Sequence, residues 1–231
     1  MSKTAIIIPI KRFDKSKTRL SPILDVNQRK ELTELLILDM LEKIYNLNNS
    51  QIILVSGEKL KLNDKFNDVI IINDNNCSGV NEAIELADKY IEINEFDESL
   101  IIPIDLPLFS IKDLKKILKF SKDFKRGICI VPSQRMDGTN LLLRKPNSII
   151  NTYYDNNSFY NHIKAATNSN NTIKIFTFER LMIDLDTMED IITLTNIYNR
   201  IYRKNRSKKK FKESKSIEFL NETISNNLLN I

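Results

Sequence analysis

The chain has 231 residues, 42% of them hydrophobic, which suffices for one sizeable core and is too short for a multidomain machine. The formal net charge of +5 has a single source: Arg203 to Lys215 holds eight basic residues against one acid, and the remainder is slightly acidic. The bulk of the protein is therefore no polyanion footprint. Two cysteines without C-x-x-C spacing and one histidine exclude zinc clusters and disulfide scaffolds, and four glycines cannot assemble a G-x-G-x-x-G or Walker loop.

No apolar run approaches the ~20 residues of a membrane span, and Met1 to Ile10 lacks a signal-peptide layout. With unpaired cysteines, this predicts a cytoplasmic protein.

Thr4 to Ile10 (TAIIIPI) reads as a strand buried on both faces and runs into a cation-rich loop, Lys11 to Pro22. Asn27 to Tyr45 has helical spacing, its apolar stretch interrupted by Glu34 and Asp39. Gln51 to Val55 and Val69 to Ile72 read as strands, Val80 to Tyr90 as a helix, and Ser99 to Ile104 as a strand. Ser110 caps a helix over Ile111 to Phe120, before a strand at Gly127 to Val131. Thr139 to Arg144 is a strand, Asn147 to Asn157 is irregular, and Ser158 caps a short helix through Ala166. Thr172 to Phe178 and Leu181 to Leu185 read as extended, and Thr187 with Asp190 opens a helix to about Tyr202. This alternation predicts an α/β fold with a mostly parallel, Rossmann-like sheet flanked by helices. Residues 1–202 form one domain, and 203–231 a basic tail ending in a weakly amphipathic segment.

In such sheets ligands bind beyond the carboxyl ends of the strands. There, Lys11, Lys17 and Arg19 cluster after the first strand, as a phosphate site would require, although a solvated loop has the same composition. Asp105, between Pro103 and Pro107, ends a strand without a local partner of opposite charge, which suits a divalent cation that also touches phosphates; the plainer role is a turn or cap. Asp137-Gly138-Thr139-Asn140 opens a strand either as an ordinary turn or as a place where backbone meets ligand. Asp184 and Asp186 point to one side of an extended segment, and Asp186 is either a second metal ligand or a helix cap.

The segments PIKRFDKSKTRLSP, PIDLPLF, VPSQRMDGTNLLLRKP, NNSFYNHIKAA and IDLDTMEDI resemble, in order and spacing, the 2-phospho-L-lactate guanylyltransferases of coenzyme F(420) biosynthesis. The resemblance spans about residues 4 to 195 and departs from the family pattern at Met188, where proline is usual, and at Asp155, where glycine is usual. It implies a nucleotidyltransferase sheet of the glycosyltransferase-A type, transfer of GMP from GTP to a small 2-phospho acid, and release of pyrophosphate. It also implies Mg2+ on Asp105 and Asp186, and nucleotide contacts from Lys11, Lys17, Arg19, Gly79 and Asn81. Acceptor contacts would come from Thr139, Asn140, Asp155 and Ser158, and a homodimer is expected, with the Ile217 to Leu229 stripe as one possible apolar face. The catalytic group would be Lys17, Arg19 and Asp105, and His162 reads as a packing residue outside it. The residues leave phospholactate, phosphoenolpyruvate and phosphoglycerate open as acceptors. A molybdopterin guanylyltransferase or cytidylyltransferase would place glycines in Lys11 to Leu20, where none stands. A nucleic-acid binder would act through the tail, which lacks an aromatic stacking platform.

Overall fold

The computed structural model describes residues 3–203 and 214–228. Seven strands form one sheet in the order β3-β2-β1-β4-β6-β5-β7. They are β1 Thr4–Pro9, β2 Ser50–Val55, β3 Ile70–Ile72, β4 Glu98–Ile101, β5 Gly127–Pro132, β6 Thr139–Lys145 and β7 Thr172–Ile175. Every pairing is parallel except those of β6, which runs antiparallel to both β4 and β5. The expected mostly parallel sheet is therefore present, with one reversed strand. That reversal brings the start of β6, Thr139 and Asn140, to the edge where β1, β4 and β5 end.

The alternation along β1 explains why the sheet is covered twice. Ile6, Ile8 and Ile10 pack on one side with α1 (Val26–Ile44), α3 (Ile111–Phe120) and α6 (Met188–Arg203). Ala5 and Ile7 pack on the other with α2 (Val80–Ile93) and α4 (Ser158–Asn168). Each buried isoleucine contributes about 1.5–3 kcal/mol. Asp25 caps α1 in a reciprocal box with Gln28, and Ser110 caps α3.

Three local expectations change. Ser158 is the first helical residue of α4 rather than its cap: Asn157 holds the cap position in a left-handed conformation, leaving the serine hydroxyl free for a tertiary bond. Leu181 and Met182 close a one-turn helix, α5 (Glu179–Met182), instead of an extended piece, and Arg180 there pairs with buried Asp113 of α3 at 2.9 Å. The extended strand expected to reach Phe178 stops at Ile175.

Most of the basic tail, residues 204–213, lies outside the described residues, and with it the nucleic-acid reading. Beyond it, α7 (Lys215–Leu228) lies on α1 and puts Ile217 and Leu220 into the main core. Ile217 and Leu220, the first part of the stripe considered for dimerisation, are thus packed within this chain, while Leu229 at its end lies outside the described residues. Asp39, a polar interruption in the apolar run of α1, receives Ser214 Oγ at 2.7 Å, Ser216 Oγ at 2.7 Å and Ser216 N at 3.0 Å. It caps α7 from a distance of some 175 residues in sequence. Asp39→Ala removes the shared acceptor of the Ser216 amide and of two hydroxyls that then keep only each other, at 2.9 Å, and should cost about 1–3 kcal/mol in a urea melt. An unchanged midpoint would show that the α7 dock contributes nothing.

Among the described residues no helix is long and apolar enough to cross a membrane.

Candidate active site

The loop after β1 is pinned from below. Phe13, Ser16 and Leu20 are buried, Ser16 Oγ accepts from Thr33 of α1 at 3.1 Å, and the Phe13 amide donates to Glu58 at 3.0 Å. Two short 3-10 turns, Phe13–Lys15 and Thr18–Leu20, flank Lys17, whose backbone is left-handed at φ 53°. This turn sends the Lys17 side chain inward while Lys11, Lys15 and Arg19 stay exposed on the rim of the cavity.

Lys17 Nζ lies 3.0 Å from Asp105 Oδ2 and 3.0 Å from Asp186 Oδ1, with the ammonium almost wholly buried. The apparent lack of a partner for Asp105 is therefore corrected: its partner stands 88 residues earlier. Burial opposes the charged lysine, but the two carboxylates outweigh it and hold the Lys17 pKa above its ordinary value. Burial raises Asp186, but the charge and hydrogen bond of Lys17, together with the charges of Lys11 and Arg19, leave it below the usual range.

The two acidic segments are tied together by the Leu185 amide, which donates to the Asp105 carbonyl at 2.9 Å. The cap of α6 is Thr187, whose Oγ1 accepts from the Asp190 amide at 3.3 Å, while Asp190 Oδ2 accepts in return from the amides of Asp186 and Thr187 at 3.0 and 2.7 Å. Asp186 is thereby released from the cap role and turns its own carboxylate to Lys17. Asp184, which also lines the cavity, is pushed up to about 6, first by burial and then by the negative charge of Asp105. Because the folded state holds this proton more tightly than the unfolded chain does, folding stability falls as pH rises from about 3.8 through about 6. Asp184→Asn should therefore raise the melting temperature at pH 8 and show no gain at pH 3.5. A gain of equal size at both values would contradict this origin.

The third wall is the start of β6. The turn before it is closed by Ser133: its amide donates to the Gly138 carbonyl at 2.8 Å and its Oγ accepts from the Gly138 amide at 2.9 Å. A Cβ on Gly138 would stand 3.1 Å from Ser133 Cβ, so the glycine serves this tight turn. Asn140 Nδ2 donates to the Leu181 carbonyl at 3.0 Å, which joins β6 to α5. Thr139 Oγ1 meets Ser158 Oγ at 3.2 Å and His162 Nδ1 at 3.1 Å.

These walls enclose a cavity of about 460 Å³, which unites Lys11, Lys17, Arg19, Asp105 and Asp186 with Thr139, Asn140 and Ser158. Three expected contacts stand aside from its lining. Asn81 Oδ1 accepts from the Tyr154 amide at 2.8 Å, and its Nδ2 donates to Asp155 at 3.0 Å, so both residues are engaged in fastening the 153–155 segment to α2. Gly79 caps α2 in extended conformation, and a Cβ there would meet nothing within 4 Å. Ser133, Arg135 and Tyr154 line the cavity without having been singled out. The first two lie in the loop after Val131, one of the strand ends to which the strand-end rule points.

The residues present fit a hard divalent cation. Asp105 Oδ1 is buried without a hydrogen-bond partner, two carboxylates face one ammonium, and a third, Asp184, lines the same cavity. Among the described residues no three acidic, histidine or cysteine side chains form a ready-made cage. Mg2+ takes one or two carboxylates and completes its shell with water and phosphate oxygens.

Comparison with known proteins bears on what this cavity serves. A family model described as "Guanylyl transferase CofC like" matches residues 4–219. The chain belongs to this guanylyltransferase family. The family match reaches past α6 into α7, beyond the extent legible from motifs. The 2-phospho-L-lactate guanylyltransferase of Methanosphaera stadtmanae is 33% identical over 195 residues, covering 83% of each chain. That of Methanocaldococcus fervens is 34% identical over 205 residues, covering 86% of this chain and 89% of the relative. Among solved structures, one described as a nucleotide-diphospho-sugar transferase from Desulfovibrio desulfuricans superposes with a TM-score of 0.72 at 17% identity, covering 99% and 98% of the two chains. A cytidylyltransferase from Leptospira borgpetersenii superposes at 0.55, also at 17% identity, covering 99% and 96%. The latter two establish the nucleotidyltransferase fold, and the family makes the chain a nucleotidyltransferase.

Proposed function

We propose that the chain joins GMP from GTP to a small 2-phospho acid, 2-phospho-L-lactate or phosphoenolpyruvate, releasing pyrophosphate, as a cytoplasmic step of coenzyme F(420) biosynthesis. One observation supports this above others: three exposed cations, a carboxylate floor and a pair of buried hydroxyls face a single cavity. Two polyanions must meet here, and charge accumulates on phosphoryl oxygens as they react, so neutralisation is the main demand.

Lys11, Lys15 and Arg19 receive the triphosphate of GTP. Lys17 fixes the separation of Asp105 and Asp186 and keeps one positive charge close to the reacting phosphate. Asp105 and Asp186 would hold Mg2+, which supplies further positive charge to the phosphoryl oxygens. The attacking oxygen belongs to a phosphate already ionised near neutral pH, so no strong general base is needed. The sole histidine agrees with this, since burial pushes its pKa down to about 4 and leaves it neutral. Thr139 through its hydroxyl, and Ser158 through its backbone amide at the N-terminus of an eleven-residue helix, take the acceptor's phosphate or carboxylate.

The test is pyrophosphate release with each nucleoside triphosphate in turn, with magnesium, against 2-phospholactate, phosphoenolpyruvate and 3-phosphoglycerate. Release with GTP and 2-phospholactate or phosphoenolpyruvate is expected. Release only with CTP, or silence across the panel, would overturn the proposal.

A further inference from the structure

His162 reads from sequence as packing, yet its surroundings determine more than shape. The ring is wholly buried, and each nitrogen has a partner. The Tyr153 amide lies 2.9 Å from Nε2. A backbone amide can only donate, so Nε2 must be the unprotonated nitrogen. Burial and the neighbouring Arg144 keep the ring neutral, so its one hydrogen sits on Nδ1. Nδ1 faces Thr139 Oγ1 at 3.1 Å, and the Ser158 backbone is its other neighbour.

Thr139 is thus constrained from two sides. A hydroxyl has one hydrogen and two lone pairs. Ser158 Oγ donates to Thr139 Oγ1 at 3.2 Å, and His162 Nδ1–H points at the same oxygen. The Nδ1 hydrogen lies between Thr139 Oγ1 and the Ser158 backbone, Ser158 Oγ donates to the same threonine oxygen, and neither ring nitrogen can accept the Thr139 hydrogen. The remaining direction is the cavity that Thr139 and Ser158 both line.

We propose that His162 is a positioning residue: held in the Nδ1–H form by the Tyr153 amide, it turns the Thr139 hydroxyl hydrogen into the cavity, where it meets an oxyanion of the acceptor acid. The proposal rests on the reading of this wall as the acceptor site. A threonine left to rotate would present either its hydrogen or a lone pair, and a lone pair facing phosphate or carboxylate repels it. The same bond draws together the loop carrying Tyr153, the start of β6 and the first turn of α4, and the aromatic face of Tyr154 lies edge-on to the imidazole at 5.0 Å.

The chain has a single histidine, so 15N-histidine labelling gives one unambiguous imidazole. At pH 7 the spectrum should show Nδ1 protonated and Nε2 bare. An Nε2–H tautomer or an imidazolium would overturn the proposal whatever the activity. In kinetics, His162→Phe should raise the KM for 2-phospholactate about tenfold or more, with the KM for GTP within about twofold of wild type, as expected for losing a hydrogen bond to a charged group. His162→Asn keeps a donor near the Nδ1 position and should recover most of that loss. Combining Thr139→Val with His162→Phe should be no worse than Thr139→Val alone. Equal rises in both KM values, or His162→Asn as poor as His162→Phe, would reduce His162 to packing. If the wild-type enzyme releases no pyrophosphate with 2-phospholactate or phosphoenolpyruvate, the acceptor reading falls, while the tautomer is still decided by the spectrum.

Discussion

Asp105→Asn is expected to lower turnover by at least about 100-fold, the scale on which one preorganised electrostatic group acts in phosphoryl and acyl transfer. The amide retains the size of the side chain but gives up the negative charge that answers Lys17 at 3.0 Å and the bare Oδ1 that would face a cation. Stability should change less, by about 1–3 kcal/mol, because Asp186 still pairs with the buried ammonium. The measurement is kcat at saturating GTP and 2-phospholactate across a magnesium titration, beside a thermal melt. Near-normal turnover at limiting magnesium would remove Asp105 from the chemistry.

Lys17→Ala reverses that balance. It leaves Asp105 and Asp186 facing each other with no cation between them, and the expected loss is about 2–4 kcal/mol of folding stability. The sign with pH follows from both partners. Asp186 has its pKa lowered on folding, so its share is present above about 3.8 and disappears as pH falls through its lower folded value. Lys17 has its pKa raised, so its share is present below 10.5 and disappears as pH rises through its higher folded value. The difference between wild type and variant should therefore be greatest between about pH 4 and 10 and shrink in acid. Magnesium should raise the melting temperature of Lys17→Ala more than that of the wild type, because the carboxylate pair then lacks its internal cation. A variant as stable as wild type at pH 7 would show that the buried pair contributes no net stability.

Much of this architecture is legible in one dimension because the signals are local. A both-faces-buried strand such as TAIIIPI, the Asp190 capping group and the polar segments at strand ends declare themselves within a few residues. What stayed hidden depends on partners far apart in sequence. TNLLLR has the same apolar pattern whether it runs parallel or antiparallel, so the reversal of β6 has no signature of its own. Lys17 looks like one more cation in a basic loop until two aspartates, 88 and 169 residues onward, close over it. Asp39 reads as a mere break in an apolar run, and its purpose is visible only once Ser214 and Ser216 arrive. Asn81 resembles a nucleotide contact by motif, but its amide is engaged with the 153–155 segment. His162 sits on an amphipathic helix where burial is unremarkable, and only the direction of the Tyr153 amide gives its ring an orientation.

The loop after β1 shows how an apolar foundation shapes a charged surface. Leu20 and Phe13 lie beneath it, so the backbone bearing Lys11, Lys15 and Arg19 takes its conformation when the chain folds, before any nucleotide arrives. The entropy of ordering that backbone is settled during folding, and association with an anion need only still the ends of three side chains. On the proposed function, affinity for a polyphosphate would thereby be coupled to residues that never touch it, and shortening Leu20 would weaken binding through disorder while every cation remained in the sequence.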